Sequence, residues 1–323
     1  SRVQKLQMAT QEGNNVEVFA VRGNFDDAQN GVKKIFTDPE MIEALKENGY
    51  FFSSANSINW GRLVPQIVYY FSAYADLVKA GTIAVGDKVN FVVPTGNFGN
   101  ILAGYYAKQM GLPVNKFVCA SNANNVLTDF LQTGTYDRNR QFHLTMSPSM
   151  DILISSNLER LLYFVAGAEQ TKAYMESLAA TGAYTVSNAV KEKIDSDFCG
   201  YYADEEQTAQ TIRKYQKSGY LMDTHTAVGV CCAEEYLKES SDVNTPMVVA
   251  STASPYKFAA DVYTSLGMEA PTDPLLSQEL LAKHTGTQIP YPLVGLGERT
   301  IRFDKTVESQ DILQEVLRFA DTQ

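Results

Sequence analysis

An α/β fold is what this sequence predicts, on three observations. Apolar runs of strand length alternate with longer stretches of helical period, no internal repeat or low-complexity linker breaks that rhythm, and a glycine-bearing turn joins one markedly apolar run to the next helix. With 323 residues, the chain is long enough for one large domain or two smaller ones around a substantial core.

The elements follow in order. Val16-Glu17-Val18-Phe19-Ala20-Val21 reads as a strand, followed by Asn24-Phe25-Asp26-Asp27 and a helix to about Phe36; the asparagine and the acidic pair suit a helix start, by capping and by the dipole. Asn59 to Lys79 reads as a helix with Val64, Ile67, Val68, Phe71 and Leu77 on a broad apolar side, stopping at Gly81. Lys88-Val89-Asn90-Phe91-Val92-Val93-Pro94 has the continuous apolar character of a buried parallel strand. Thr95-Gly96-Asn97-Phe98-Gly99-Asn100 then opens a helix ending near Gly111, and Lys116 to Ala120 is the next strand, completing a right-handed βαβ crossover. From Val126 to about Gly219 the text reads as mostly helical, with an irregular stretch between Gly134 and Pro148. A helix through Ala227 to Leu237 leads into a short buried strand, Pro246 to Ala250, and the amphipathic tail from Gln310 to Ala320 is expected to dock on the body.

Composition excludes several partners. Lys and Arg total 27 against 37 Asp and Glu, a formal net charge of -10, so nonspecific attraction to nucleic acid or to anionic membrane is disfavoured. No apolar run approaches the ~20 residues of a membrane helix, and the N-terminus carries no signal-peptide core. The missing initiator Met points to a processed or trimmed chain. Cys119, Cys199, Cys231 and Cys232 show neither CxxC spacing nor a disulfide framework; buried inert thiols in a reducing cytoplasm fit them best.

Three segments are candidates for chemistry. In the turn from Thr95 to Asn100, Gly96 and Gly99 let the backbone bend tightly and expose N–H groups where a helix points its positive end, which suits a phosphate; an ordinary βα turn would look the same. No P-loop signature is present, the spacing is G-x-x-G and not G-x-G-x-x-G, and Ser121-Asn122 stand where a ribose-binding acid would end the second strand, so a nucleotide or dinucleotide is disfavoured. Next, Ser53-Ser54-Ala55-Asn56-Ser57-Ile58-Asn59-Trp60-Gly61-Arg62 gathers hydroxyl, amide and guanidinium donors at a helix start; the alternative is an N-cap beside a solvated arginine. Finally, Ser251-Thr252 end a buried strand on the edge where α/β proteins place ligands, or cap the following turn. His225, in Asp223-Thr224-His225-Thr226-Ala227, is open to a capping role as much as to catalysis.

Taken in order, the phrases Ser54-Ala55-Asn56-Ser57-Ile58-Asn59, Val93-Pro94-Thr95-Gly96-Asn97-Phe98-Gly99-Asn100, Met150-Asp151-Ile152-Leu153-Ile154-Ser155-Ser156-Asn157-Leu158-Glu159-Arg160 and Asp223-Thr224-His225-Thr226-Ala227 resemble threonine synthase of the longer bacterial and fungal type. The resemblance spans nearly the whole chain. It implies the tryptophan-synthase-β-like fold of type II pyridoxal-phosphate enzymes, with residues 1–47 a remnant of the smaller domain and 48–323 the larger, doubly wound one. It implies conversion of O-phospho-L-homoserine and water into L-threonine and phosphate, and hence two bound phosphates. Gly96, Asn97, Phe98, Gly99 and Asn100 match the family's cradle for the cofactor phosphate, and Thr252 the hydroxyl facing the pyridine nitrogen. Asn56, Ser57 and Arg62 match its contacts to the substrate phosphate, where a guanidinium offers bidentate geometry.

The family's cofactor-linked lysine, which is also the proton-transfer base, lies in a Pro-Thr-x-x-Phe-Lys-Asp-like segment upstream of the region resembling Ser1 to Met8. No such segment occurs in this sequence. The expected partner is therefore the missing N-terminal part of the same protein, and no catalytic residue is assigned here. Another type II lyase or dehydratase, or a noncatalytic binding module on the same scaffold, remain the alternatives. The chain alone is predicted to bind pyridoxal phosphate weakly and noncovalently, if at all, and to form no threonine; a stoichiometric absorption band of a covalent cofactor adduct would refute this.

Overall fold

The computed structural model describes residues 2–23, 31, 32 and 34–322. The helix start expected at Asn24 to Asp27 lies outside them. Among the described residues the strands are β1 (Ala20–Arg22), β2 (Val89–Pro94), β3 (Val114–Ser121), β4 (Thr135–Asp137), β5 (Ala183–Thr185), β6 (Phe198–Tyr202), β7 (Met247–Val249) and β8 (Thr306–Glu308). The principal sheet has the order β6-β3-β2-β7 and is parallel throughout. Its register aligns Val92 with both Val118 and Val249, and Val118 with Cys199.

Two compact units emerge from the contacts. One comprises Ser1–Ser54, Thr272–Glu279 and Gln288–Gln323; the other comprises Ala55–Pro271 and Leu280–Thr287. This division differs from a single cut at residue 47, because the C-terminal tail returns to the N-terminal segment. There β1 pairs in parallel with β8, and the tail helix Ile312–Ala320 joins Met41, Leu45 and Val307 in an apolar cluster. The strand expected from Val16 shrinks to Ala20–Arg22, since its partner β8 offers only three residues to pair with.

The larger unit holds the principal sheet with its two faces buried. Successive side chains of a strand point to opposite faces. Accordingly Phe91 and Val93 of β2 join Phe98, Leu102, Phe117 and Phe198 on one side, while Val92 joins Val118, Ala120, Val228 and Cys232 on the other. That two-sided burial is why β2 reads as continuously apolar. Helix Gly99–Gln109 links β2 to β3, and helix Thr224–Ser240 leads into β7.

Two further expectations change in the structure. The helix beginning after Asn59 is interrupted: a single turn, Trp60–Leu63, passes through the 3-10 segment Val64–Gln66 before Ile67–Lys79. Pro65 has no N–H to continue the ladder. The stretch from Val126 to Gly219, read as mostly helical, contains β4, β5 and β6. β6, Phe-Cys-Gly-Tyr-Tyr, lacks β-branched residues, yet it forms an edge of the principal sheet through its pairing with β3.

The helix that follows the glycine turn packs without clearance. A Cβ at Gly104 would come within 2.6 Å of the Tyr70 ring and 2.7 Å of the Phe117 ring. Both rings are buried and packed among other aromatics, Tyr70 edge-on to Phe91 and Phe117 stacked on Phe198, so neither has room to yield. Gly104→Ala is expected to cost about 1–3 kcal/mol of overpacking, read as a lower urea midpoint with far-ultraviolet dichroism preserved. An unshifted midpoint would show that the two rings can retreat.

Candidate functional site

The C-terminal edge of the principal sheet carries the candidate site. β2 ends at Pro94, and β7 runs parallel to it one strand over, so Ser251 and Thr252 leave the sheet at the same edge as Thr95 and Gly96. This is where open α/β sheets bind ligands.

The glycine turn is held from behind. The Gly96 carbonyl accepts from Ser155 Oγ at 2.8 Å, and the Asn97 carbonyl accepts from Asn157 twice, from Nδ2 at 2.8 Å and from the backbone N–H at 3.1 Å. Thr95 is tied down by its own hydroxyl, 2.6 Å from the Val93 carbonyl, and by its N–H to Ala120. By contrast, no hydrogen bond among the described residues uses the N–H groups of Gly96 to Ile101; the first to donate is Leu102, to the Phe98 carbonyl at 3.1 Å. Free N–H groups in the first turn are what a helix start leaves over, and here the preceding loop extends the set.

Local geometry explains the residue choices. Phe98 caps the helix in the left-handed region, φ 59°, a conformation uncommon outside glycine, and its ring is fully buried on the Phe198 side. The packing of that ring holds the strained backbone in place. A Cβ on Gly96 would lie 2.7 Å from the Ser149 carbonyl oxygen, and one on Gly99 would lie 2.6 Å from Ser57 Cβ. The glycines are therefore required by the protein's own close approaches, in addition to any ligand's.

That second approach joins two predicted segments. Ser57 rests against Gly99, and Asn157 Nδ2 reaches both Ser57 Oγ (2.9 Å) and the Asn97 carbonyl (2.8 Å). Arg160 completes the clasp: Nη1 donates to the Ser57 carbonyl at 2.9 Å and to Asn157 Oδ1 at 2.8 Å, and Nη2 donates to the Ile58 carbonyl. Asn56 and Ser57 are thereby brought to the glycine turn. The exposed guanidinium of Arg62 has no ion pair among the described residues. Asn56 uses its Oδ1 to accept from the Ile58 N–H at 3.0 Å, while Asn59 caps the short helix by accepting from Gly61.

The donors in this segment are side chains. A helix of one turn, Trp60–Leu63, provides little macrodipole, so the expected contribution from a helix end at Asn59 is replaced by amide, hydroxyl and guanidinium groups. Asn157 and Arg160 carry the geometry and received no role from sequence reasoning. Their signal was their place in the Met150 to Arg160 phrase. Asn100 is also committed: Tyr70 Oη lies 2.8 Å from its carbonyl and 2.6 Å from its Oδ1. Thr252 is exposed, and no hydrogen bond among the described residues uses its hydroxyl.

His225 belongs to a cap. Asp223 accepts from the His225 N–H at 2.9 Å, contacts its Nδ1 at 3.0 Å and accepts from the Thr226 hydroxyl. Nε2 accepts from the Ser149 N–H at 3.3 Å, and the ring packs on Phe258. The imidazole thus supports the Ser149 loop that backs Gly96. The thiols are inert: burial pushes Cys119 and Cys199 up to about 12, and raises Cys231 and Cys232 as well. No cluster of metal ligands occurs among the described residues.

A parallel sheet with a turn of unengaged N–H groups at its carboxyl edge is the arrangement in which open α/β proteins hold ligands, and the fold is that of type II pyridoxal-phosphate enzymes. The comparisons with known proteins agree. Residues 226–316 match the family described as threonine synthase, C-terminal. Human threonine synthase-like 1 is 44% identical over 272 residues, covering 82% of this chain and 36% of that protein. Threonine synthase of Saccharomyces cerevisiae is 39% identical over 282 residues, covering 82% of this chain and 53% of the yeast enzyme. The pyridoxal-phosphate-bound structure of threonine synthase from Brucella melitensis superposes with a TM-score of 0.83 at 38% identity, covering 99% of this chain and 63% of that one. The chain belongs to the threonine synthase family. It spans between about a third and just over half of the length of the curated relatives it matches.

Asp223 is completely buried with three donors converging on it. Asp223→Ala is expected to lower stability by about 2–4 kcal/mol, from the lost cap and the stranded donors, with Asp223→Asn losing less. Urea denaturation of the two variants checks the order; equal losses would mean that the single oxygen kept by Asn recovers nothing and that the second oxygen or the charge carries the effect.

Proposed function

We propose that this chain supplies the two phosphate-holding segments of a pyridoxal-phosphate-dependent threonine synthase, which converts O-phospho-L-homoserine and water into L-threonine and phosphate. The observation that carries the reading is the outward row of N–H groups from Gly96 to Ile101, with Ser57 seated against Gly99 beside it.

The residues present fit the cofactor. The N–H groups of Gly96 to Asn100 would hold its phosphate, needing no cation, and Thr252 would face its pyridine nitrogen with a neutral hydroxyl. When bound, pyridoxal phosphate supplies an electron sink that makes the carbon-bound protons of an amino-acid substrate removable. Asn56 and Ser57 would orient the substrate's phosphoester by hydrogen bonds. Arg62 would neutralise its charge and stabilise the phosphate as it leaves, the pairing for which a guanidinium fork is suited. In a protein of net charge -10 those local donors must do all the work of attracting an anion.

Isothermal titration of the chain tests this in two ligand pairs. Pyridoxal phosphate is expected to bind at least about tenfold tighter than pyridoxal, and O-phospho-L-homoserine about tenfold tighter than homoserine, the scale of charge-assisted hydrogen bonds. Arg62→Ala is expected to reduce the second preference and leave the first. Equal affinities within each pair for the unmodified chain would overturn the reading.

A further inference from the structure

We propose that Asn157 is a positioning residue that aims both anion-binding segments at once, turning the 97–98 peptide so that its N–H faces the cofactor phosphate and making the Ser57 hydroxyl a dedicated donor. The inference rests on the function proposed above and adds to it the group that sets the geometry.

A trans peptide directs its C=O and N–H to opposite sides. Because Asn157 holds the Asn97 carbonyl with both its side-chain and its backbone N–H, the Phe98 N–H is turned the other way, toward the open side of the loop. Phe98 sits in the left-handed region, so this peptide is one that could relax by flipping if its carbonyl were released. Ser155 Oγ does the same for the Gly96 carbonyl, which leaves the Asn97 N–H outward too. Two carbonyls are drawn back and two N–H groups are thereby presented.

Asn157 also fixes the role of Ser57. A hydroxyl has one proton and can both donate and accept. Asn157 Nδ2 approaches Ser57 Oγ at 2.9 Å as a donor and occupies an acceptor lone pair, so the hydroxyl proton is left for another acceptor. No acceptor for it is present among the described hydrogen bonds. An incoming phosphate oxygen meets that requirement. Asn157 spends both amide hydrogens on these two tasks, and its own Oδ1 is fixed by Arg160 at 2.8 Å, which prevents the amide from turning over. The residue is 1% exposed, so no water competes for these positions.

Chemistry separates this role from mere packing. Asp in place of Asn157 has nearly the same shape, keeps an oxygen for Arg160 and keeps the backbone N–H on the Asn97 carbonyl, but its side chain cannot donate to Ser57 or to Asn97. The test titrates the 323-residue chain and its variants with pyridoxal phosphate and with pyridoxal, and follows the melting temperature alongside. Asn157→Ala and Asn157→Asp are both expected to reduce the preference for pyridoxal phosphate over pyridoxal by about tenfold, the loss of roughly one hydrogen bond to a charged group, with pyridoxal affinity unchanged. Ser57→Ala, which leaves Asn157 and the 97–98 peptide in place, is expected to keep that preference and to reduce the preference for O-phospho-L-homoserine over homoserine.

A folded Asn157→Asp that keeps the full preference for pyridoxal phosphate overturns the inference and leaves the proposed function standing. Parallel loss of pyridoxal and pyridoxal phosphate affinity also overturns it, as the mark of a general loosening. Should both Asn157 variants fail to fold, Ser57→Ala decides: loss of the cofactor preference in that variant contradicts the division of labour. Absence of any preference in the unmodified chain sinks the functional reading itself, and is recognisable because it precedes every substitution.

Discussion

The hydrogen bonds that draw the Gly96 and Asn97 carbonyls back toward Ser155 and Asn157 are what the candidate site depends on. A peptide loop is neutral and its N–H and C=O dipoles normally cancel over a few residues. Holding the carbonyls on one side leaves a surface of donors on the other, which is the basis of anion binding by backbone alone. Everything else at this edge serves that separation. The parallel sheet supplies the loop's origin, the helix from Gly99 extends the row of donors, and the buried Phe98 ring holds the unusual backbone.

The segment that draws the carbonyls back is itself stiffened from several directions. Asp151 accepts from Asn122 and Thr145 at 2.8 and 2.7 Å and from Asn124 at 3.0 Å, so the loop before Ser155 is fixed to the end of β3 by a partly buried polar network. His225 and Asp223 brace the neighbouring Ser149 from the start of the helix Thr224–Ser240. Tyr136 Oη takes the Ser155 N–H at 2.8 Å. Such networks are costly when half satisfied and rigid when complete. An acidic protein needs such rigidity if it is to hold an anion, because its overall field would oppose the ligand and only preorganised donors would offset it.

Much of the fold was legible. β2, the glycine turn, its helix and β3 were visible because burial on both faces leaves a continuous apolar run, and because glycine marks the sharp bend between strand and helix. β6 was not, since Phe198 to Tyr202 carries no β-branched residue and owes its strand conformation to pairing with β3 across 81 residues of chain, Phe117 to Phe198. The break at Pro65 was readable in principle from proline's missing N–H, but the apolar periodicity through it was stronger.

The candidate site divides along the same line. The sequence by itself determined which residues could donate to anions: the amides and glycines of Gly96 to Asn100, the polar run through Asn56, Ser57 and Arg62, and the hydroxyl of Thr252. These are matters of residue type and local order. Only the tertiary structure decided that Ser57 lies on Gly99, that the helix after Asn59 is a single turn, and that Asn157 and Arg160 bind the two segments into one. The reason is physical: hydrogen bonds spanning 60 to 103 residues depend on how the chain packs, and no local pattern encodes which of many buried amides will meet a given carbonyl.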